Sequence, residues 1–200
     1  MSIKTLGARR YERQDVSSAD ETPTVLIVED EQHLADLYTD YLGDSYDVLT
    51  AYSGEEGLDM LAADIDVVLL DRRMPVVSGN EVLAEIEERG LPCRVAMVTA
   101  VNPDFDIIEM GFDDYLVKPV TREELSEVVD RLQKIAAYND HLQALTTRKL
   151  KRNVLQVEKS QAELESSQQY RELQSEIAEI SERVDALAAD LDVEEEDLQL

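Results

Sequence analysis

Residues 66–79 read DVVLLDRRMPVVSG, and the way this stretch turns from apolar to acidic decides the fold. Val67-Val68-Leu69-Leu70 is a continuous apolar run of strand length. It ends on a carboxylate, Asp71, and gives way to a loop holding Pro75 and Gly79. Three more runs close in the same manner. Thr24–Val28 leads to Glu29-Asp30, Arg94–Val98 to Thr99-Ala100, and Asp114–Val117 to Lys118-Pro119. Three acids, a hydroxyl and an ammonium therefore stand at the ends of four strand-like segments.

Helical signals fill the spaces between these runs. Residues 31–43 carry His33, Leu34, Leu37, Tyr38, Tyr41 and Leu42 on one side and stop at Gly43. A strand over 46–51 precedes Ser53, an N-cap residue for a helix over 54–63 with Leu58 and Leu61 inward. A helix over 79–89 ends at Gly90-Leu91-Pro92. A short helix is expected at about 103–110, with Asn102 as cap and Pro103 in its first position. Thr121 and Glu124 form a capping box for the helix after the last strand. Strands that read as unbroken Val/Ile/Leu runs, each followed by a helix, predict a doubly wound α/β fold with a five-stranded parallel sheet. Ligands of such sheets bind beyond the carboxyl ends of the strands, where all five singled-out residues fall.

Past Ala137 the pattern is helical without strands. Residues 138–159 carry Leu142, Leu145, Leu150, Val154 and Val157. Residues 168–191 carry Tyr170, Leu173, Ile177, Ile180, Val184, Leu187 and Leu191 at alternating three- and four-residue steps, a coiled-coil or hairpin seam. The phase breaks between Leu164 and Tyr170, and Ser160–Glu163 is a second capping box. Two helices folded back on each other, with a short helical turn between them, are predicted; a continuous parallel coiled coil is the alternative. The expected division is an N-terminal arm over 1–22, an α/β domain over 23–137, a helical domain over 138–192 and an acidic tail over 193–200.

The chain of 200 residues carries 45 acids against 19 bases, a formal charge of −26. Residues 24–137 hold 26 acids and 8 bases, and residues 138–200 hold 15 and 7, so the excess is spread along the chain. Only six bases are Lys. Self-repulsion of this size is relieved by screening; adaptation to high salt is the preferred reading, and an ordinary acidic, soluble protein is the alternative. Cys93, the only cysteine, excludes an intrachain disulfide. His33 and His141 lack the spacing of a zinc site. The first 23 residues, with Arg9, Arg10 and Arg13, have no signal-peptide core, and no apolar run is long enough to span a membrane. A cytoplasmic protein is expected.

Glu29, Asp30 and Asp71 in one crevice would raise one another's pKa unless a cation neutralised them. A hard ion with oxygen ligands, Mg²⁺ above all, suits them. Asp71 then has the makings of a nucleophile toward a phosphoryl group, with Lys118 and Thr99 to bind its oxygens.

Residues 24–137 resemble the CheY-like receiver domain of two-component response regulators. The resemblance rests on Glu29-Asp30, Asp71 with Met74-Pro75 and Gly79, Thr99-Ala100, and the run Gly111-Phe112-Asp113-Asp114-Tyr115-Leu116-Val117-Lys118-Pro119. Steps of 41 residues from Asp30 to Asp71, 28 to Thr99 and 19 to Lys118 fit that family, the last about three residues shorter than usual. The resemblance implies that Asp71 is phosphorylated by a sensor histidine kinase. It further implies Mg²⁺ on Asp30, Asp71, Glu29 and the Arg73 carbonyl, and phosphoryl binding by Thr99, Ala100 and Lys118. Thr99 and Tyr115 become a switch pair, and the Lys118-Pro119 bond is expected to be cis. Arg72 and Arg73 depart from the apolar residues of many relatives, and Arg73 is placed to alter the lifetime of the phosphoryl group.

Residues 138–200 resemble the HalX domain found behind receivers in haloarchaea, on the run Lys159–Glu165 followed by Tyr170. That implies an interaction or regulatory module, with homodimerisation through its helices as one use. Arg148, Lys149, Lys151 and Arg152 form a basic cluster able to contact a few phosphates of DNA, a DNA-binding regulator being one alternative. No helix-turn-helix pattern accompanies them. An aspartyl-phosphate phosphatase, the enzymatic alternative, is opposed by Gln32, which stands where the haloacid-dehalogenase plan needs a second Asp.

Overall fold

Each apolar run pairs with its neighbours to form the five-stranded sheet. A computed structural model describes residues 22–191; the arm before residue 22 and the tail expected at 193–200 lie outside them. Strands β1 (Thr24–Val28), β2 (Asp47–Ala51), β3 (Val67–Leu70), β4 (Arg94–Thr99) and β5 (Asp114–Val117) lie in the order β2-β1-β3-β4-β5, all parallel. Alternation along the three inner strands divides their side chains between two cores. Leu26, Val28, Val68, Leu70, Val95 and Met97 face α2 (Gly54–Met60) and α3 (Gly79–Arg89), meeting Leu61, Val82, Leu83 and Ile86. Val25, Ile27, Val67, Leu69, Ala96 and Val98 face α1 (Gln32–Leu42) and the start of α4 (Arg122–Glu158), meeting Tyr38, Leu42, Leu125, Val128, Val129 and Leu132.

The caps of α2, α3 and α4 fall where the sequence puts them. Ser53 accepts a bond from the Glu56 amide, and Thr121 and Glu124 close a full capping box on α4. Gly90 ends α3 with φ of 61°, the left-handed conformation that glycine adopts without strain. Helix α1 buries Ala35, Tyr38 and Leu42, while His33 and Leu37 turn to solvent, because its buried stripe is narrower than the six positions predicted. Helix α2 stops at Met60, before the expected residue 63, and Leu61 packs into the core from its C-cap.

Between β4 and β5 the prediction needs correcting. The short helix expected from Asn102-Pro103 is a single 3-10 turn, Phe105–Glu109, capped by the side chain of Asp104. Its bonds run from the Ile107 amide to the Asp104 carbonyl and from the Met110 amide to the Ile107 carbonyl. The shortened segment leaves no room for a helix long enough to lay an apolar face on the sheet. Phe105 and Ile108 stand 86% and 76% exposed.

The boundary expected after residue 137 lies within α4, which continues as one helix from Arg122 to Glu158. No Gly or Pro interrupts it. Its packing changes instead: Ile135 belongs to the receiver-side core and Tyr138 to the next one. There α6 (Gln168–Asp190) returns antiparallel after the short α5 (Gln161–Ser166), so the hairpin forms as predicted. The register is read from Lys134–Asp190, Arg148–Glu176 and Gln156–Tyr170 contacts. Tyr138 and Leu145 meet Ile177 and Val184 at its centre. Leu150, Val154 and Val157, apolar residues of the same helix, are exposed.

One backbone conformation carries strain. Val76, in the loop after β3, has φ of 67° and a side chain 81% exposed. A β-branched residue is a steric outlier in that region, at a cost of roughly 1–2 kcal/mol. Asn tolerates the conformation and no buried area is lost in the exchange. Val76→Asn should therefore raise stability by about 1 kcal/mol, read as a higher denaturant midpoint with unchanged slope.

Candidate functional site

The parallel register brings the carboxyl ends of β1, β3, β4 and β5 to one edge, and ladder-type bonds carry past the strand ends to fix the residues there. The Asp71 amide donates to the Val28 carbonyl at 2.9 Å, the Glu29 amide to Ala51 at 3.0 Å, and the Lys118 amide to Thr99 at 2.9 Å. Glycine is required at position 79. A Cβ there would lie 2.1 Å from the Asp71 carbonyl oxygen, so the loop folds back on Asp71 only with no side chain in the way.

Glu29 and Asp71 are buried, at 2% and 8% exposure, and Asp30 is exposed. A carboxylate oxygen from each lies within 4.8 Å of the other two. Lys118 Nζ donates to Glu29 Oε2 at 2.5 Å and to Asp71 Oδ2 at 2.7 Å. Burial is the largest influence on Glu29 and, with Asp71 nearby, outweighs the Lys118 ammonium, so its pKa is pushed up to about 7. Burial works to lower the pKa of Lys118, but its hydrogen bonds to Asp71 and Glu29 prevail and raise it.

The remaining predicted residues gather around this centre. Thr99 is fully buried, and its Oγ1 accepts a bond from the Val101 amide at 3.3 Å. Tyr115 is half-buried; its hydroxyl donates to the Val101 carbonyl at 2.8 Å and its ring rests against Phe112. Sequence reasoning missed Val101. It joins Thr99 to Tyr115 through its backbone alone, and a backbone role leaves no signal in side-chain identity. The Arg73 amide donates to Asp71 Oδ1 at 3.2 Å while its side chain is exposed. Ala100 is exposed beside Thr99, and the Lys118-Pro119 bond is cis. Ser78 and Asn80, also not foreseen, and Asn102, expected only as a helix cap, line an open polar groove with Arg72 and Arg73.

Cys93 takes no part: it is buried, and burial pushes its thiol up to about 11. The four basic residues of α4 do not form one surface. Arg148 is paired with Glu176 and Arg152 is half-buried beside Asn153, leaving Lys149 and Lys151 exposed.

Comparison with known proteins agrees with both halves of the chain. Residues 25–130 match the response regulator receiver domain, and residues 134–200 match the HalX domain. A Haloferax volcanii protein provisionally described as a transcriptional regulator is 59% identical over 109 residues, 54% of this chain and 19% of that protein. The transcriptional regulatory protein CutR of Streptomyces coelicolor is 43% identical over 106 residues, 50% of this chain and 49% of its own. The chain thus spans about half, or less, of the length of these relatives. Among solved structures, response regulator TrrA of Thermotoga maritima, in complex with Mg²⁺ and BeF, shares 32% identity at a TM-score of 0.50. That match covers 55% of this chain and 98% of TrrA. With the sheet order, the strand-end residues and the matched segments in agreement, the chain belongs to the response regulator receiver family and carries a HalX domain behind its receiver.

Proposed function

We propose that Asp71 accepts a phosphoryl group from the phosphohistidine of a sensor kinase, and that the α4–α6 hairpin conveys the event as transcriptional or other signalling output. The observation that supports this best is the placing of Asp71: nearly buried, 2.7 Å from an ammonium, and in one crevice with two more carboxylates. In the transfer, the P–N bond to the donor imidazole breaks as a P–O bond to an Asp71 oxygen forms. The imidazole leaves neutral when its other nitrogen already bears a proton, so the protein need supply no acid.

The acyl phosphate oxygens would be met by Lys118 Nζ, one of whose three protons can turn to them, and by the Thr99 hydroxyl. If Thr99 turns toward the phosphoryl group it releases the Val101 amide, and Tyr115, bonded to the other side of Val101, is freed to move with it. This is the switch pair's physical link.

The donor set suits Mg²⁺. Three carboxylates less one ammonium leave a charge of −2 to be balanced, and hard oxygens are the ligands such an ion takes. Glu29, Asp30, Asp71 and the Arg73 carbonyl would hold it. Bound there, it would supply charge neutralisation and alignment of the incoming phosphate. The HalX domain over about 138–192 would be the output module, and self-phosphorylation and dephosphorylation at Asp71 the only chemistry. No described helix is long and apolar enough to cross a membrane; the reading assigns the protein to the cytoplasm, where the kinase presents its phosphohistidine.

Incubation with a small labelled phosphodonor and Mg²⁺ in molar KCl should label the wild type and leave Asp71→Asn unlabelled. Label that survives Asp71→Asn refutes the assignment. Lys118→Ala should slow labelling roughly a hundredfold, as loss of one charged donor does at such centres.

A pH series tests the metal assignment. Glu29 in the folded protein binds its proton more tightly than in the unfolded chain, where its ordinary value of 4.5 applies. Its protonated form therefore contributes stability that is full below pH 4.5 and lost as pH rises through about 7. In the metal-free protein Glu29→Gln should gain on the wild type across that window, by at most about 3 kcal/mol. Mg²⁺ affinity of the wild type should climb with pH up to about 7 and then level, as the ion ceases to compete with the proton.

A further inference from the structure

Among the described residues two apolar patches stand uncovered, and they differ in charge. The first lies on the outer face of α4, where Leu150, Val154 and Val157 follow one another at i, i+4 and i+7 and are 61%, 62% and 82% exposed. Residues 148–159 around it hold five bases and one acid, in a chain of −26. The second is the 3-10 turn, where Phe105 and Ile108 border an open groove of about 310 Å³ lined also by Pro103, Asp104 and Ile107. Residues 101–115 hold five acids and no base. Asp113 and Asp114 of that set are paired with Arg94 and Arg131, whereas Asp104 and Glu109 are exposed beside the apolar pair. Proteins seldom leave such patches without a use.

We propose that Leu150, Val154 and Val157 of one copy dock onto the Phe105–Ile108 surface of a second copy of this chain, each copy giving one of each surface. Apolar contact drives the pairing, and charge at contact range agrees with it: Lys149 and Lys151 flank the stripe, and Asp104 and Glu109 flank the groove. Two stripes packed on each other would instead bring the exposed Lys149 and Lys151 of both copies together. The hairpin's own second helix is no rival, since α6 contributes none of the exposed large apolar side chains among the described residues. Nor can the two patches meet within one chain. At 1.5 Å per residue, Val154 lies roughly 30 Å along a straight helix beyond Ile135, the last side chain of α4 on the receiver core. One contact of five side chains is small beside a stable interface of about 1,600 Å². Reciprocal exchange forms the contact twice and closes the pair, so no filament grows. The proposal makes no assumption about phosphorylation at Asp71.

Sedimentation equilibrium of the full chain in molar KCl tests it, with Val154→Asp/Val157→Asp, with Phe105→Asp/Ile108→Asp, and with an equal mixture of the two. Wild type should dimerise, and each variant alone should associate at least about tenfold more weakly. The mixture should recover part of the loss, because one stripe and one groove remain intact between unlike chains. A monomeric wild type overturns the proposal. So does a 3-10 variant that still dimerises while the stripe variant does not, which would mean stripe on stripe, and so does a mixture without recovery. Circular dichroism checks that the variants fold; Val154→Ser/Val157→Ser and Phe105→Ser/Ile108→Ser give the same comparison with milder changes.

Discussion

The Lys118 ammonium, shared between Glu29 and Asp71, is the contact on which the rest of the site depends. Burying a carboxylate without a partner costs several kcal/mol, and the sheet order puts two of them at the ends of adjacent strands, β1 and β3. Lys118 comes from the edge strand β5, two strands from β3 and three from β1, about 10 and 14 Å at ordinary spacing. Its stem must therefore pass over the end of β4. The residue there, Thr99, is small and fully buried, which leaves that path open. One cation among three carboxylates is too little to offset burial, which with Asp71 nearby keeps the pKa of Glu29 raised to about 7. On the proposed reading a dication would complete the balance, so the same imbalance makes the crevice receptive to one.

On the proposed reading, a change at Asp71 would have a defined route outward. Thr99 and Tyr115 hold opposite sides of one peptide segment at Val101, which opens into the 3-10 turn. A longer, packed helix would resist such movement; a single turn with its apolar residues in solvent does not. On the other side of Lys118, only Pro119 and Val120 separate the ammonium from the Thr121 cap of α4. That helix runs without interruption into the hairpin. The centre thus lies between a pliant surface and a stiff lever.

What could be read from the sequence follows from how locally each feature is encoded. The strand runs, the Ser53 cap, both capping boxes and the hairpin depend on neighbours in the chain, and all are found. The strand-end residues were legible because a parallel sheet always gathers those ends. The 3-10 turn was not: Asn102-Pro103 is a sound helix start, and only the tertiary limit on the length between β4 and β5 overrules it. The outward turn of Leu150, Val154 and Val157 was hidden for a similar reason. Periodicity shows that α4 has an apolar side there, but α6 chooses the side bearing Tyr138 and Leu145. Val101 acts through its amide and carbonyl, which every residue has.

The acidity of the chain bears on which of these forces survive where it works. In molar salt, to which the acidic composition is suited, the screening length falls to about 3 Å. Exposed pairs such as Lys134–Asp190, Arg122–Asp44 and Lys159–Glu163 then add little. The hairpin must be held by Tyr138, Leu145, Ile177 and Val184, whose burial salt strengthens. The Lys118 contacts are sheltered from mobile ions and keep their strength. High salt accordingly silences the surface while sparing the crevice, and a protein of −26 can hold clustered carboxylates together that its own surface charge would otherwise oppose.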